Sequence, residues 1–386
     1  MPKITFYEND NTGAKYLGDD IVVYVPGNEA IIGAKDSNNC ILLTSAATLD
    51  TETNLAKNPF VYNLLNNNLQ VLYQEIVNVD DVPTPTSIEN TFDYLEDKNS
   101  YDIKFITLGT LTDQFINYDG STLTIPDIVS DLSEVCFNRK DCVLITTALI
   151  ENSEIKAFKD ALDTQTSLGI KAEYTGLFVT DTISYAAEGS NALIIKDPSL
   201  AYLIQYAKAV TGGKKWDAIA GVNRGVVKDY YSGDVVSKYT LDNNIFTDNG
   251  YSFNAISIVR PYDECIWGDR TLYKNTQGEG LKASSFLSIR NMVCDITKRC
   301  YYSAINNTYE TNNEITWSNF KATITELLDQ MVAGYNLADY KIIKKPTKKR
   351  ATIECAIHLT PIEPVEDFDI YIELNNVETN VDPRLA

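Results

Sequence analysis

The chain has 386 residues, a length typical of two or three domains at roughly 150 residues each. Hydrophobic residues make up 44% of the sequence and charged residues 22%, so the chain can bury a core and is not wholly disordered. No segment approaches the roughly 18 consecutive apolar residues of a membrane span, and the first residues, MPKITFYEND, lack the apolar stretch of a signal peptide. These features predict a protein of the cytoplasm where it is made, or of a particle assembled there, without membrane contact.

The charge and the rarest residue types exclude several classes of function. The formal net charge is −20, which argues against nucleic-acid binding, because neutralising phosphates requires clustered Lys and Arg. His358 is the only histidine, so Ser-His-Asp chemistry and His-rich metal sites would depend on it alone, and it lies on the polar side of an alternating, strand-like stretch. The seven cysteines have spacings that fit neither a disulfide framework nor a zinc site, and we interpret them as buried free thiols.

The first two thirds of the sequence alternate between strand and helix patterns. In chain order we predict strands over residues 21–25 (ending at Pro26-Gly27), 69–77, 103–108, 143–147, 176–179 and 192–195, and helices from Asn58-Pro59 to residue 65, from Ser153 to Gly169, and from Asp197-Pro198 to Gly212-Gly213. Proline after a capping Asn or Asp favours a helix start, because the first helical residues need no backbone N–H donor. The strand–helix–strand order over residues 143–195 predicts a βαβ-like layer.

The last third of the sequence predicts two amphipathic helices followed by two strands. Apolar residues recur at three- and four-residue steps from Phe286 to Cys300, and again from Phe320 to Met331, where Gly334 ends the helix. The strand patterns are ATIECAIHL and FDIYIEL, separated by a proline-bounded connection over residues 361–364. The predicted fold class is therefore α+β, with mixed α and β elements.

No motif supports catalysis or cofactor binding. A P-loop is excluded because Lys208 stands where the first glycine is needed before Gly212-Gly213-Lys214, and the G-x-G-x-x-G pattern is absent. An acidic stretch near Asp10 approaches the spacing of a calcium loop, but Thr12 and Asp19 depart from the pattern, so we interpret it as an acidic arm. We predict a protein that is not an enzyme and that has no catalytic residues, no cofactor and no metal site.

Charge is distributed unevenly along the chain. Residues 282–350 carry eleven Lys/Arg and six Asp/Glu, a net of +5, whereas the last 36 residues carry eight acidic groups and one arginine, a net of −7. Such segregation often marks contact between copies or with an oppositely charged partner. The basic candidates for such a contact are Lys344, Lys345, Lys348, Lys349 and Arg350. The alternative is that these five residues form one solvated loop.

Both ends of the sequence show extended patterns. The apolar residues on one side of these strands are Ile4 and Phe6 at the amino end, and Phe368, Ile370, Ile372 and Leu374 at the carboxyl end. An isolated strand exposes unpaired N–H and C=O groups. Each strand must therefore either close the chain's own sheet or be donated to the sheet of a neighbour.

Several segments resemble one known family. IVRPYDECIWGDRTLYKN (residues 258–275) resembles the "WG-RT" signature of contractile tail sheath proteins of bacteriophages, a family shared with phage-tail-like bacteriocins and contractile injection systems. Trp267, Gly268, Arg270 and Thr271 match this signature directly. WDAIAGVNRGVV (residues 216–227) resembles the family's AGVNRG element, and the two helices and closing strands follow in the family's order. The resemblance covers most of the chain and is strongest from residue 216 onward.

The resemblance implies a structural role. Sheath proteins of this family form six-membered rings around a tail tube; the rings stack helically, and contraction drives the tube through a target envelope. The implied organisation is an extended arm at residues 1–20, an outer α/β domain at 21–215, a tube-facing sheath domain at 216–360 and a second arm at 361–386, with the arms completing a β-sheet in adjacent subunits. Implied partners are other copies of the chain, the tail tube protein, and the baseplate and tail terminator proteins. The implied location is the virion tail, after assembly in the host cytoplasm.

Other interpretations remain open. The same fold could serve a bacteriocin or an injection system, and a non-contractile surface-layer protein is an alternative of another class. For single residues we expect Trp267 to pack in the core or anchor a subunit, and Arg270 to pair with an acidic residue across a strand or interface. Gly221 and Gly225 are expected at turns or where backbones approach closely.

Overall fold

The structure is a computed structural model that describes residues 21–27, 31, 33–46, 58–76, 92–109, 111, 116–120, 122–125, 127–165, 169–181, 183, 197–227, 250–259, 264–275, 281–348 and 351–366. Several predicted features lie outside these residues: the acidic stretch near Asp10, the strand at 192–195, Lys349, Arg350, and the arm residues Ile4, Phe6, Phe368, Ile370, Ile372 and Leu374.

The described elements alternate between strands and helices for most of the chain. Strands are β1 (Val22–Gly27), β2 (Cys40–Leu43), β3 (Gln70–Glu75), β4 (Phe105–Ile106), β5 (Ile116–Tyr118), β6 (Leu123–Thr124), β7 (Val143–Leu149), β8 (Thr175–Thr180), β9 (Asn254–Ile258), β10 (Glu264–Trp267), β11 (Leu337–Lys345) and β12 (Glu354–Pro361). Helices are α1 (Pro59–Asn66), α2 (Asp127–Arg139), α3 (Ile155–Thr164), α4 (Pro198–Thr211), α5 (Gly221–Arg224), α6 (Leu287–Asn306) and α7 (Glu314–Ala333). The predicted mixed α and β fold class is confirmed.

The first ten described strands form one sheet, in the order β10-β9-β8-β7-β4-β1-β3-β2, with β5 beside β7 and β6 beside β5. The central pairs from β3 to β9 are parallel, whereas β2 and β10 add antiparallel edges. Parallel neighbours need a crossover, and α1, α2 and α3 supply it. The predicted βαβ layer is confirmed at β7, α3 and β8. We call this sheet and helices α1–α5 the sheet body.

Burial explains why the central strands carry few charged residues and do not alternate between apolar and polar positions. Every residue of β1 and β8 is buried, as is every residue of β7 except the last. Helices that cover both faces of a parallel sheet exclude water from both sides. The strand sequences of such a sheet are therefore nearly continuous apolar runs and do not alternate between apolar and polar residues. Among the described residues, no helix is both long and apolar enough to cross a membrane.

The remaining elements form a smaller layer, which we call the carboxy-terminal layer: α6, α7, β11 and β12. Its own apolar core includes Ile289 and Met292 of α6 and Leu328 and Met331 of α7. Strands β11 and β12 pair antiparallel with each other and, among the described residues, with no other strand. His358 is exposed on β12, as the alternating pattern predicts.

Some element boundaries differ from the prediction. Strand β1 continues through Pro26 instead of ending there, because β4 pairs only with Val23 and Tyr24 and leaves one side of β1 as an edge that tolerates proline. Helix α3 ends at Thr164, before Gly169.

Helix caps also differ in part. Asp197 caps α4 by accepting from two backbone N–H groups, whereas the Asn58 side chain makes no capping bond to α1. Gly334 follows α7 with a helical φ of −81°, and the left-handed residue is Tyr335, with φ of 59°. The N–H of Asn336 then donates to the carbonyl of Met331, which is the closing bond of a Schellman-type turn.

The sheet and its core continue past residue 216, where we predict a domain boundary. Strands β9 and β10 extend the same sheet as β1–β8, and Leu287 and Cys294 of α6 pack in the main core. The division into outer and tube-facing domains stays a prediction. All seven cysteines are free thiols as predicted; five are buried, and Cys300 and Cys355 are half-buried.

Candidate functional site

The two motifs that carry the family resemblance lie next to each other. The N–H of Ile266 in β10 donates to the carbonyl of Gly225 at 2.8 Å, and the N–H of Val227 donates to the carbonyl of Glu264 at 2.9 Å. A Cβ at Gly225 would lie 2.9 Å from the carbonyl oxygen of Ile266, so only glycine permits this approach. Gly221 has a left-handed φ of 69°. The predicted roles of both glycines, a turn and a close backbone approach, are confirmed.

The signature segment, residues 267–271, turns the chain from β10 toward α6. Trp267 ends β10 and packs half-buried against the main core, and Gly268 follows with φ of 108°, which L-residues rarely adopt. Thr271 is buried, and its Oγ1 donates to the carbonyl of Ser284 at 2.7 Å. Its N–H donates to the carbonyl of Ser285 at 2.9 Å. The segment therefore fixes the chain immediately before α6.

Asn254 binds the signature segment to the sheet. It is completely buried at the start of β9, where its Oδ1 accepts from the N–H of Arg270 at 2.7 Å and its Nδ2 donates to the Arg270 carbonyl at 2.8 Å. The same Nδ2 donates to the carbonyl of Leu177 in β8. One buried amide thus satisfies the backbone of Arg270 and connects it to two strands.

The Arg270 side chain pairs with an acidic residue, as expected, and the partner is Glu366. Nε of Arg270 donates to Oε1 of Glu366 at 2.9 Å, and Nη2 donates to Oε2, so the pair is bidentate. The guanidinium carbon lies 5.1 Å from the ring centroid of Phe286. The Arg270 side chain is 3% exposed and that of Glu366 22% exposed. Glu366 is thus bound to the body.

Asp269 caps α6 from outside the helix. The residue that precedes the helix, Phe286, makes no side-chain cap; instead the N–H of Ser288 donates to Oδ1 of Asp269 at 3.1 Å and the Ser288 hydroxyl donates to Oδ2. Burial raises the pKa of Asp269 to about 7. The Ser288 hydrogen bonds and Arg270 oppose this rise, whereas the nearby Glu366 adds to it.

A charged cluster joins the middle of α6 to the sheet body. Lys104, next to β4, donates to Oδ1 of Asp295 at 2.6 Å, and Trp216 donates to Oδ2 at 2.8 Å. Lys215 lies 3.3 Å from the same carboxylate. Burial opposes ionisation of Asp295, but Lys104 and Lys215 outweigh it and hold the pKa of Asp295 well below its usual range.

Two more basic residues of α6 bind the sheet body. Arg290 pairs with Glu173 at 2.8 Å, and its guanidinium carbon lies 4.3 Å from the ring centroid of Tyr174. Lys298 pairs with Asp102 and donates to the carbonyl of Ile103 at 3.0 Å. The face of α6 that meets the sheet body is thus joined largely by charge, whereas the opposite face packs its apolar residues against α7.

The basic candidates lie at a different place from the signature. Lys344 pairs with Glu314, the first residue of α7, and its Nζ lies 5.8 Å from the ring centroid of Trp317. Lys345 ends β11 and is exposed, as is Lys348. The structure therefore places Lys344 beside the start of α7, with Lys345 and Lys348 following in sequence, whereas the signature segment contacts the start of α6.

A groove of about 170 Å³ lies between α6 and the end of β12. Its lining is mostly apolar and includes Ile289, Met292, Val293, Leu359 and Pro361. The groove is beside the start of the carboxy-terminal arm. Across the part of the chain that the structure describes, no three His, Cys, Asp or Glu side chains group in a way that could hold a metal ion.

Several residues of this site escaped the sequence analysis. Asn254 and Asp295 stand among apolar neighbours in FNAIS and MVCDI, and a polar residue at such a position is the one signal that could have drawn attention to them. Asp269 lies inside the signature, but its capping role depends on a fold that brings it to Ser288. Nothing in the spacing of Arg270 and Glu366, 96 residues apart, indicates their pairing.

Similarity to known proteins is found at the level of structure. No protein-family model matches the sequence, and no curated protein matches it. A chain of the sheath complex of an extracellular contractile injection system, PVC, in its contracted state matches with a TM-score of 0.66 and 16% identity over 98% of both chains. A chain from the baseplate of the anti-feeding prophage, AFP, matches with a TM-score of 0.64 and 12% identity over 97% of this chain and 99% of that one. A chain from the contracted AFP baseplate matches with a TM-score of 0.65, 15% identity and coverage of 97% and 98%.

These matches define the class of fold. The chain has the α+β fold of contractile sheath structures over nearly its whole length, which confirms the fold that the sequence resemblance implies.

Proposed function

We propose that the chain is the structural subunit of a contractile tail sheath. It polymerises as stacked hexameric rings around a tail tube and contracts to drive the tube through the envelope of a target cell. The observation that carries this proposal is the agreement in fold with the PVC sheath chain over 98% of both chains, so the likeness is not confined to one shared motif. The role is structural, and the chain acts without catalysis.

Strand donation is the proposed means of assembly. Among the described residues, strands β11 and β12 form a two-stranded sheet that pairs with no other strand, and a sheet of two strands is marginal alone. We propose that the arms at residues 1–20 and 361–386 add strands to this sheet in neighbouring copies, through Ile4, Phe6, Phe368, Ile370, Ile372 and Leu374. The groove beside β12 is suited to an apolar side chain from such a strand.

Contact with a tail tube is proposed for the basic residues beside the start of α7. Lys345 and Lys348 are exposed there, Lys344 lies beside them, and Lys349 and Arg350 follow in sequence. A local net charge of +5 over residues 282–350 in a chain of −20 favours an acidic partner surface. The baseplate and tail terminator proteins are the further partners in the virion tail, and assembly takes place in the host cytoplasm.

Contraction in this proposal needs no nucleotide. The extended assembly is metastable, and the contracted assembly buries more surface and is lower in free energy. The free-energy difference per subunit adds up over the many identical copies in the sheath. A few kcal/mol per subunit, comparable with the stability of one domain, is sufficient once one end of the sheath is released.

The test of this function is deletion of residues 368–386. We expect a folded, monomeric chain that forms no tubes, because the proposed strand donor is lost while the described residues remain. Sedimentation velocity and electron microscopy of the purified protein measure polymerisation, and circular dichroism measures folding. Deletion of residues 375–386 is the matched control, since it keeps FDIYIEL and should keep polymerisation. Tubes of normal length from the longer deletion would refute strand donation.

The sheath of an injection system is the second candidate. It is favoured by the source of the matching structures, which come from an extracellular contractile injection system and from an anti-feeding prophage. Neighbouring genes for a capsid and a terminase would identify a phage instead.

A further inference from the structure

Arg270 binds the last residue that the structure describes. Its guanidinium makes a bidentate pair with Glu366 and stacks on Phe286, and its backbone is bonded to Asn254 in the sheet. A guanidinium that is 3% exposed is costly to bury without a partner, because removing one member of such a pair leaves an uncompensated charge. The bidentate pair with Glu366 therefore supplies a counter-charge to the buried guanidinium and fixes the chain at this point.

The segment between β12 and Glu366 is fixed at both ends. At its start the N–H of Ile362 donates to the carbonyl of Asn336, which follows α7, at 3.0 Å. At its end Glu366 is bound by Arg270. Val365 lies between these points and is 68% exposed, so the segment is stabilised by its two attachments more than by burial.

The proposed strand donor begins two residues after this attachment. Phe368 opens FDIYIEL, and two extended residues span at most ~7 Å. The pair of Arg270 and Glu366 therefore fixes the chain within two residues of the proposed donor. Ile362, the attachment before it, is six residues earlier than Phe368, and six residues span up to ~21 Å.

We propose that Arg270 is a positioning residue for polymerisation: by binding Glu366 it fixes where the carboxy-terminal arm leaves the body, and so directs the arm to a neighbouring copy. This inference rests on the proposed sheath function. Pre-organising the start of a donated strand reduces the entropy lost when the strand binds, because fewer arm conformations must be excluded. Loss of the pair should weaken polymerisation without unfolding the body.

The test compares two glutamates of the same segment in the full chain. Glu366→Gln removes the charge that Arg270 binds while nearly preserving shape, and Glu363→Gln makes the same chemical change at an exposed position three residues earlier. We expect Glu366→Gln to raise the critical concentration for polymerisation about tenfold, and Glu363→Gln to leave it within about twofold. Circular dichroism below the critical concentration should show that both variants are folded, and the melting temperature of Glu366→Gln should be the lower of the two, because the buried Arg270 guanidinium loses its counter-charge. Equal critical concentrations would overturn the proposal.

Proteolysis of the monomer separates this inference from the proposed function. Chymotrypsin cleaves after Phe368 only when the residues before it, including Glu366, enter the protease cleft. We expect Glu366→Gln to raise the rate of this cleavage, followed by mass spectrometry, about tenfold over the unsubstituted chain and over Glu363→Gln. Equal rates would show that Arg270 does not fix the arm. If the unsubstituted chain never polymerises but the rates differ, the sheath function is refuted, and with it the role in polymerisation, while the attachment itself stands.

Discussion

The sheet body and the carboxy-terminal layer differ in how completely they bury their strands. Leu144 and Phe178, in β7 and β8, are completely buried, whereas Ile342 and Ile357, paired across β11 and β12, are half-buried. The sheet body resembles a self-sufficient α/β domain. Among the described residues, the carboxy-terminal layer leaves more apolar surface exposed and pairs β11 and β12 only with each other. The comparison separates a closely packed region from a more open one.

Helix α6 belongs to both regions and joins them in two different ways. Ile289 and Met292 pack in the apolar core of the carboxy-terminal layer, whereas Arg290, Asp295 and Lys298 form ion pairs with the sheet body. Apolar packing tolerates many arrangements of similar volume, but a buried ion pair is favourable in one geometry only. The relative placement of the two regions is thus specified by these ion pairs together with the packing of Leu287 and Cys294 in the main core.

The largest expected effect tests the difference in burial directly. Phe178→Ala should lower the free energy of unfolding of the monomer by about 4 kcal/mol, because a completely buried aromatic side chain is removed and a cavity remains. Ile357→Ala, at a half-buried position, should lower it by about 1 kcal/mol. Urea denaturation measures both. Equal losses would mean that the carboxy-terminal layer is as closely packed as the sheet body.

The next prediction concerns the charged face of α6. Asp295→Asn should lower the free energy of unfolding by about 3 kcal/mol, because Lys104 remains buried without its counter-charge. Asp329→Asn is the matched control on α7, where the exposed carboxylate accepts only a hydrogen bond from Tyr340; we expect a loss below about 1 kcal/mol. A small effect at Asp295 would show that apolar packing places the two regions.

The smallest expected effect is a pH dependence at the point where the regions meet. The pKa of Asp269 rises from an ordinary 3.8 to about 7 on folding, so between these values the folded state binds more protons than the unfolded state. The free energy of unfolding should therefore fall as pH rises, by about 2 kcal/mol between pH 5 and 7 from this group. Burial causes this rise; of the groups that face the carboxyl, Ser288 and Arg270 oppose it and Glu366 adds to it, and Tyr202 is also close enough to interact with Asp269.

Asp269→Asn isolates the contribution of this group. The variant keeps an acceptor for the N–H of Ser288 but cannot titrate, so its stability should change less over this pH range than that of the unsubstituted chain. Thermal unfolding of the two proteins at pH 5 and pH 7 provides the measurement. Parallel pH profiles would contradict the raised pKa.

Local patterns made the elements predictable, whereas contacts distant in sequence made the site unpredictable. Asp197-Pro198 predicts the start of α4, because a capping side chain and a proline act within one helical turn. The apolar run of β7 predicts a buried strand in the same local way. The continuation of β1 through Pro26 depends on how far β4 extends, which no local pattern reveals.

The signature residues were identified from the family resemblance alone. The particular residues that they contact could not be predicted. Asn254 lies 16 residues from Arg270, and Glu366 lies 96 residues away. Their pairing follows from the fold, in which β9, the start of α6 and the end of β12 converge. In the sequence, the charged residues of α6 look like the solvent-exposed positions of an amphipathic helix. Their burial could not be predicted, because the partners that bury them come from the sheet body.

The attachment of Arg270 to the sheet has a mechanical consequence. A force applied at residue 367 acts first on the Glu366 carboxylate. From there it is transmitted through Arg270 to Asn254 and the adjoining strands. The hairpin of β11 and β12 lies outside this load path. A pull on the arm would therefore act on the sheet body before it could separate β12 from β11.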